Sequence, residues 1–271
     1  MATMGKVVAV VNQKGGVGKS TVTLGLASAA AAAGHRALVV DVDPQGAATW
    51  VLGVDAERLR SSLPNALTST RSGSAAAVIQ PSEWDHLIDV APAGPDLQHL
   101  EAARSGVEGF LFGDGATRLR RALSGVTKGY GVVFVDCPPS LGALTTAALA
   151  AADEVLIVVE PAALSLRGVE PVADLIERIW ERHGQRLDLA GVIVNRVPAR
   201  SHDAELRYTE LSRSVGAKSV WTPSIPQRVV VAEAAAARRS IHSYGARGRD
   251  VADVFDRLYA RLWRKIRPSR S

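Results

Sequence analysis

Gln13-Lys14-Gly15-Gly16-Val17-Gly18-Lys19-Ser20-Thr21 is the most informative stretch of this sequence. It follows an apolar run of strand length and precedes an Ala-rich run of helical character, which is the context of a phosphate-binding loop. Glycines let successive backbone N–H groups turn toward a phosphate, and the helix N-terminus that follows adds its positive dipole end. In such a loop Lys19 contacts the β- and γ-phosphates, and the Ser20 hydroxyl binds Mg²⁺. The general pattern has glycine at its first position, where Gln13 stands, so the match is incomplete.

Apolar, β-branched runs of strand length alternate with helical segments along the rest of the chain. The predicted strands are Lys6–Asn12, Ala37–Asp41, Leu87–Ala91, Gly131–Asp136, Val155–Val159 and Leu189–Asn195. The predicted helices are Lys19–Ala33, Thr117–Lys128, Leu141–Ala151, Gly168–His183, Asp203–Gly216, Val229–Arg239 and Arg249–Ile266. This alternation predicts an α/β fold, with a doubly wound, mostly parallel sheet and helices on both faces. No repeat or low-complexity linker divides residues 1–271, so we predict one domain with surface excursions at Ser61–Ser82 and Ala103–Gly115.

The composition and the cysteine count favour a globular protein without disulfides. The 271 residues are 47% hydrophobic and 22% charged, which is typical of a globular protein with a sizeable core. A single cysteine, Cys137, excludes an internal disulfide and favours a reducing cytoplasm. The N-terminal apolar run is too short for an export signal, and no stretch is long enough to cross a bilayer.

The positive charge is concentrated near the C-terminus. Residues 1–195 carry 16 Lys and Arg against 20 Asp and Glu, whereas residues 196–271 carry 16 against 7. This asymmetry predicts a surface that faces a polyanion. The alternative is that the arginines are solvated residues on exposed helix faces.

Two strand ends supply carboxylates beside the phosphate loop. The apolar strand Val133-Phe134-Val135 closes in Asp136, and a second strand closes in Asp41-Val42-Asp43. Strand alternation predicts that Asp41 and Asp43 point the same way, toward one site. Carboxylate oxygens are ligands that Mg²⁺ prefers. The sequence therefore predicts a magnesium and phosphate site at this edge of the sheet.

The loop resembles the deviant phosphate-binding motif of the ParA/MinD ATPases, because Lys14 precedes the glycine pair. Asp43-Pro44-Gln45-Gly46 resembles the ParA branch, whose members move DNA or protein cargo over the nucleoid. The resemblance covers most of the chain in order and continues through Asp41–Gln45, Pro92–Gly94 with Leu97 and Glu101, Asp136–Ser140, Asn195, Ile225-Pro226 and Ala232–Ala234.

The resemblance implies an ATPase that uses ATP and Mg²⁺ and is weakly active without a partner. ATP would be sandwiched in a homodimer, in which Lys14 reaches the partner's phosphates as an arginine finger does, while Lys19 holds its own. Asp43 would position the attacking water, with Asp136 touching the metal through water and Asp41 supporting it. The implied metal site comprises Ser20, Asp43 and Asp136. The implied nucleotide site comprises Lys14, Gly15, Gly16, Val17, Gly18, Lys19, Ser20 and Thr21, with Asn195 and Pro226 flanking the adenine.

The resemblance also implies partners. The ATP dimer would bind DNA non-specifically and release it when a ParB-like or other cargo-adaptor protein stimulates hydrolysis, which implies a cytoplasmic, nucleoid-associated protein. The phosphate loop begins at Gln13, so we expect no N-terminal helix-turn-helix domain. The candidate DNA contacts are basic residues of the C-terminal third: Arg196, Arg200, Arg207, Arg213, Lys218, Arg228, Arg238 and Arg239.

One departure from the family bears on DNA binding. ParA proteins often have Ile-Pro-Arg-Asn-Val-Arg where this chain has Ile225-Pro226-Gln227-Arg228-Val229-Val230. Gln227 and Val230 therefore stand in place of two arginines. Arg228 and the Arg238-Arg239 pair are the expected compensation.

Two alternative functions stay open. A MinD-like membrane-positioning ATPase would lay its amphipathic C-terminal helix on lipid. We expect that helix to pack on the sheet instead and do not expect membrane binding; its apolar residues are Val251, Val254, Phe255, Leu258, Leu262, Trp263 and Ile266. A small-molecule ATP-dependent ligase or kinase of the same fold is the other alternative. A nitrogenase-type iron protein is excluded because its cluster takes two cysteines from each subunit, and Cys137 is expected to pack as a small hydrophobe.

Overall fold

A seven-stranded sheet lies at the centre of the computed structural model, which describes residues 5–102, 114–161, 169–183, 187–199 and 202–267. The strand order is β3-β4-β2-β5-β1-β6-β7, and within the described strands β3 alone pairs antiparallel, with β4. The strands are β1 Lys6–Val11, β2 Ala37–Asp41, β3 Gln80–Pro81, β4 Ile88–Ala91, β5 Val132–Asp136, β6 Glu154–Val159 and β7 Asp188–Val194. The predicted parallel α/β sheet is confirmed, and each of the six predicted strands lies within one residue of its observed bounds.

The helices connect the strands and cover both faces of the sheet. They are α1 Lys19–Ala32, α2 Ala47–Val51, α3 Leu63–Thr68, α4 Leu97–Ala102, α5 Arg118–Leu123, α6 Ala143–Ala151, α7 Glu170–His183, α8 His202–Val215, α9 Val229–Ala236 and α10 Arg249–Ile266. Helices α2, α3 and α4 were not predicted, because each is too short to show a helical period. Gly168, the predicted start of α7, lies outside the described residues.

Two predicted helices are shorter than expected. The helix predicted at Thr117–Lys128 is α5, which ends at Leu123; Ser124-Gly125 interrupts it before a separate 3-10 turn at Val126–Gly129. The helix predicted at Val229–Arg239 is α9, which ends at Ala236. It ends there because Arg238 adopts a left-handed backbone conformation, with φ of 52°.

The two faces of the sheet carry two separate cores. Along β1, Val8 and Val10 face the layer that contains α1, α9 and α10, while Val7, Ala9 and Val11 face the opposite layer. This alternation is the period of two that a strand imposes on its side chains. The sheet is therefore buried on both sides, and its carboxyl-terminal edge is where a ligand can reach it.

The prediction that Ser61–Ser82 is a surface excursion is wrong. The segment contains α3 and β3, and Leu63, Ala66 and Leu67 are buried in the core. A reciprocal pair of hydrogen bonds between Ser62 and Asn65 caps α3. Of the second predicted excursion, residues 103–113 lie outside the described residues, and Ala116 just beyond it is buried.

The C-terminal helix α10 packs against α1, as predicted. Val251, Phe255, Leu258, Leu262 and Ile266 are buried, and the other two apolar positions are partly buried. At residue 25 on α1 a Cβ atom would overlap the Phe255 ring, so glycine is needed there for the close approach. The apolar face that a membrane-lying helix would need is therefore already covered. No helix within the described residues combines the length and apolarity needed to span a bilayer.

Replacing Phe255 by alanine is expected to destabilise the fold by about 3–5 kcal/mol, because it empties a fully buried site between α1 and α10. Chemical denaturation measures this loss. Arg257→Ala, on the exposed face of the same helix, is the control and should change the free energy of unfolding by less than about 0.5 kcal/mol. Equal stability of the two variants would contradict the packing role of this face.

Candidate active site

The phosphate loop joins β1 to α1 at the carboxyl edge of the sheet. Gly16 and Gly18 have φ of 81° and 87°, a conformation that side-chain-bearing residues rarely adopt. Gly18 is the residue that precedes α1, and a Cβ atom on it would overlap the Asn195 amide. The Asn12 Oδ1 accepts a hydrogen bond of 2.8 Å from the Lys14 backbone N–H. The glycines and Asn12 thus give the loop a shape that leaves its backbone open toward a phosphate.

Lys19 occupies the first turn of α1 and is buried, with 7% of its surface exposed. Its Nζ lies 3.5 Å from the Lys14 carbonyl oxygen, to which it donates a hydrogen bond. Burial lowers the pKa of the Lys19 ammonium, and the nearby negative charges, among them Asp136 and Asp43, raise it. A buried ammonium held beside the loop is suited to bind an anion there.

Asp136 ends β5 and is fully buried beside α1. The Thr23 hydroxyl donates to its Oδ1 at 3.1 Å, and the Ser20 side chain lies against the same carboxylate. Its other oxygen, Oδ2, is buried and has no hydrogen-bond partner within the part of the chain that the structure describes. Burial, reinforced by the charge of Asp41, raises the pKa of Asp136.

These observations fit a divalent cation at the junction of Ser20 and Asp136. An unsatisfied buried carboxylate oxygen beside a hydroxyl is a donor set that hydrated Mg²⁺ accepts, because this ion keeps several waters and takes few protein ligands. Within the described residues, no group of three His, Cys, Asp or Glu side chains has the arrangement of a self-sufficient metal site. The protein therefore offers part of a coordination shell and leaves the rest to water and phosphate.

Asp41 and Asp43 occupy different environments. The expectation that they share a direction rested on strand alternation, but β2 ends at Asp41, so the alternation does not reach Asp43. The Asp41 Oδ2 accepts 2.7 Å hydrogen bonds from both the backbone N–H and the hydroxyl of Thr49. Its Oδ1 accepts from the Asp43 N–H at 3.2 Å. The Asp41 carboxylate therefore ties α2 to the end of β2.

Asp43 lies near the phosphate loop and is 9% exposed. Its Oδ1 accepts a 2.9 Å hydrogen bond from the Gln45 backbone N–H. Burial raises the pKa of the Asp43 carboxyl; the Gln45 hydrogen bond and the Lys19 charge lower it, and Glu101 raises it further. The structure thus brings Asp43, Asp136 and Lys19 within electrostatic reach of one another.

Lys14 is half-exposed and pairs with a carboxylate that directly follows β6. Its Nζ lies 3.6 Å from Glu160 Oε2, and about half of the side chain, 53%, is exposed. Arg196 lies 3.0 Å from Glu160 Oε1 and donates to the Gly16 carbonyl. Glu160 therefore forms ion pairs with two basic side chains, Lys14 and Arg196, beside the phosphate loop.

Comparisons with known proteins agree with this site. The profile of the AAA domain family matches residues 5–189. The chain is 37% identical to the chromosome-partitioning ATPase Soj of Thermus thermophilus over 84% of this chain and 83% of that protein. It is 32% identical to the sporulation initiation inhibitor protein Soj of Bacillus subtilis over 93% and 96% of the two chains. The chain belongs to the ParA/Soj family of chromosome-partitioning ATPases.

A solved structure shares the fold of this ParA/Soj-family ATPase. Cobyrinic acid a,c-diamide synthase from Mycobacterium smegmatis, crystallised with an ATP analogue and magnesium, superposes with a TM-score of 0.80. The two chains are 28% identical, and the match covers 96% of this chain and 94% of that one. The predicted family, the α/β fold and the ATPase class are therefore confirmed.

A cavity beside the phosphate loop brings together the two residues expected to flank adenine in this ParA/Soj-family chain. Asn195 and Pro226 both line it, together with Thr21 at the start of α1. Asn195 also donates from Nδ2 to the Val17 carbonyl at 2.8 Å, so it braces the loop. The adenine contacts themselves stay a prediction.

The eight basic residues expected to contact DNA are not equivalent. Arg207 pairs with Asp203 and Glu210, and Arg196 is held by Glu160 and the phosphate loop. Arg200 lies outside the described residues. The remaining cations are exposed or half-exposed: Arg213, Lys218, Arg228, Arg238 and Arg239.

Several residues of this ParA/Soj-family site were not identified from the sequence. Thr23 lies one helical turn after Ser20, so helical spacing was a usable signal for it. The sequence signal for Glu101 was the family resemblance alone, which implied no role for it. In the structure it accepts hydrogen bonds from the Ser140 hydroxyl at 2.6 Å and the Leu144 N–H at 2.9 Å, which ties α4 to the loop after β5. Thr49 carried no sequence signal.

Cys137 packs beside the site without taking part in it. It is 1% exposed, and its thiol contacts the Val135 carbonyl. Burial raises the pKa of the Cys137 thiol well above its usual value, so the thiolate is disfavoured. The expectation that it packs as a small hydrophobe is confirmed.

Thr49→Val is expected to destabilise the protein by about 1–3 kcal/mol for each buried group left unpaired. The hydroxyl both donates to Asp41 and accepts from the Ala93 N–H at 2.9 Å, so valine removes two buried bonds at similar volume. Denaturant unfolding measures the loss. Thr49→Ser keeps the hydroxyl and is the control; serine and valine variants of equal stability would refute the role given to this hydroxyl.

Proposed function

We propose that this chain is a ParA-type ATPase that forms an ATP-sandwich homodimer, binds DNA non-specifically in that state, and releases it on hydrolysis. Two relatives support the biological setting, because their names are those of a chromosome-partitioning ATPase and a sporulation initiation inhibitor protein. The setting we propose is the nucleoid, with a ParB-like or other cargo-adaptor protein as the partner that stimulates hydrolysis.

The phosphate loop and Lys19 are proposed to hold the triphosphate of the same subunit. Backbone N–H groups of Gly15 to Thr21 face the phosphates, and the buried Lys19 ammonium balances their charge. Ser20 and Asp136 would hold magnesium, which supplies charge neutralisation at the phosphates when bound. The unsatisfied Oδ2 of Asp136 is the observation that supports this assignment.

Asp43 is proposed to orient the attacking water. It is the carboxylate of the segment after β2 that is not committed to Thr49, and its Oδ2 makes no hydrogen bond to the described residues. Lys19 and Glu101 lie near enough to affect its ionisation. Asp41 has a different role in this proposal, since it positions the segment that carries Asp43.

The contact and exposure of Lys14 are the observations that carry the dimer proposal. Lys19 is buried beside the loop backbone, whereas the Lys14 ammonium lies on the Glu160 carboxylate and about half of its side chain is exposed. Its stem is long and half-exposed, so it is available to the phosphates of a second copy. Cationic charge supplied in trans accelerates phosphoryl transfer by about 10³–10⁵-fold in other ATP- and GTP-hydrolysing enzymes.

Non-specific DNA binding is proposed for the basic C-terminal third. The exposed cations Arg213, Lys218, Arg228 and Arg239 can neutralise phosphates without reading a base sequence. Such binding weakens steeply as salt rises, because the bound cations displace counterions from DNA. ATP dependence follows if the dimer is the form that binds DNA.

Asp43→Ala is expected to lower turnover by about 100-fold or more while leaving DNA binding with ATP intact or stronger, because the dimer forms and does not hydrolyse. Retention on random duplex DNA is measured with ADP and ATP at two salt concentrations. Lys14→Ala should lose both the ATP-induced dimer and ATP-dependent DNA binding. Lys128→Ala, an exposed lysine on a 3-10 turn away from the phosphate loop, is the control and should match the wild type.

Two outcomes would overturn the proposal in favour of another function, and a third would refute one part of it. ATP turnover that rises with a metabolite and not with DNA would favour a small-molecule enzyme of the same fold. ATP-dependent binding to anionic liposomes without DNA binding would favour the membrane-positioning alternative. An unchanged dimer in Lys14→Ala would refute the role of this lysine in trans.

A further inference from the structure

Two consecutive arginines at the end of α9 lie on aromatic rings. The Arg238 guanidinium carbon is 4.7 Å from the centre of the Trp50 ring, and that of Arg239 is 5.4 Å from the centre of the Tyr244 ring. The Trp84 indole N–H donates to the Arg238 carbonyl at 3.0 Å. We call these five residues the Arg238 surface. Trp50 is 49% exposed, so one side of its ring faces solvent beside Arg238.

The backbone at Arg238 is strained. Its φ of 52° places a side-chain-bearing residue in the left-handed region, directly after the end of α9. Helices commonly end in this way with glycine, which adopts the conformation without the steric cost that a Cβ adds. Arg238 has this conformation, as does Arg196, whose φ is 55°.

No carboxylate of the described residues neutralises the charge of Arg238. Arg196 and Arg207 each pair with a carboxylate, whereas neither Arg238 nor Arg239 forms a salt bridge with the described residues. The Nε of Arg238 is buried and has no hydrogen-bond partner among the described residues. Stacking on Trp50 occupies the face of the guanidinium, so its terminal N–H donors are the ones we assign to a phosphate.

Trp50 connects this surface to the nucleotide site. It belongs to α2, the helix that begins four residues after Asp43. Its neighbour Thr49 is bound twice to Asp41 at 2.7 Å, and the Trp50 N–H donates to the Gly46 carbonyl at 2.9 Å. The segment that carries Asp43 is therefore joined through Asp41 and α2 to the ring on which Arg238 lies.

We propose that Arg238 is a phosphate contact for DNA and that Trp50 is the residue that positions it, so that the nucleotide site controls this contact through α2. The inference rests on the proposed ATP-dependent DNA binding and adds to it the route of control. Trp50 is a positioning residue here, because it acts through Arg238 and touches no substrate.

Arg238→Gly separates the two roles of the residue. Glycine relieves the left-handed strain, so the free energy of unfolding should stay the same or rise, while the affinity for random duplex DNA with ATP falls. Loss of one phosphate contact should reduce the slope of log affinity against log salt by about one. Arg238→Lys keeps the charge but lacks a planar group to stack, and should bind DNA with intermediate affinity.

Trp50→Ala tests the positioning role. We expect DNA affinity with ATP to fall by about 2–6-fold, since a partly exposed cation–π contact is lost, and the ratio of affinities with ATP and ADP to shrink. Trp50→Phe keeps a ring and should restore most of the affinity. The control is Trp180→Ala, a tryptophan of similar exposure, 43%, on α7 in the opposite layer, which should bind DNA as the wild type does.

The outcomes distinguish this inference from the function on which it rests. No ATP-dependent DNA binding by the wild type would refute the proposed function itself. ATP-dependent binding by the wild type that is equally strong in Arg238→Gly and Trp50→Ala would refute the Arg238 surface and leave the proposed function standing. An affinity loss in Trp50→Ala that phenylalanine does not restore would refute stacking as the positioning interaction.

Discussion

Two carboxylates buried side by side at the ends of neighbouring parallel strands are the constraint on which the rest of the site depends. Asp41 of β2 and Asp136 of β5 are paired in the sheet register, and both are removed from water. Burying a negative charge is unfavourable unless hydrogen bonds or cations compensate it, so burial raises the pKa of each carboxyl. The charge of Asp43 raises the pKa of Asp41 further, and the charge of Asp41 raises that of Asp136. The two carboxylates differ in their hydrogen-bond partners, and this difference gives them different roles in the site.

Both carboxylate oxygens of Asp41 accept hydrogen bonds from the protein, and these bonds hold neighbouring segments in place. Its hydrogen bonds to Thr49 hold α2 against the end of β2, and its bond to the Asp43 N–H shapes the segment between them. Any rearrangement of that segment must therefore involve α2. Trp50 of α2 also lies against Arg238. Asp41 is therefore connected, through α2, to a basic surface formed by a distant part of the chain.

One carboxylate oxygen of Asp136 accepts a hydrogen bond and the other accepts none from the described residues, which leaves it able to bind a cation. Thr23 and Ser20 meet the carboxylate, but its Oδ2 lacks a partner in a buried position beside the phosphate loop. Lys19 lies close by without a salt bridge to the described residues, so the site holds an incompletely compensated anion and a buried cation together. A phosphate with its magnesium ion would supply both missing charges, which makes the site suited to a nucleotide.

The sequence by itself determined the sheet, the phosphate loop and the family of this protein. These features depend on contiguous residues: a strand repeats its pattern every two residues, and the loop needs its glycines and Lys19 next to one another. Short helices such as α2 and α3 were not predicted from the sequence, because six residues or fewer do not establish a helical period. The contact of Lys14 with Glu160 and the partners of the arginines were not predicted, since both depend on residues from other strands and helices.

Only the tertiary structure decided which of the charged residues act together. No signal in the sequence pointed to Thr49, and Arg238 was marked only as one of several basic residues, because their partners Asp41 and Trp50 become neighbours only when the sheet and its covering helices assemble. The apolar face of α10 illustrates the same point, since a membrane and a protein core are both apolar. Packing against α1 and Phe255's contact with Gly25 decided between them, because that packing buries the face within the protein.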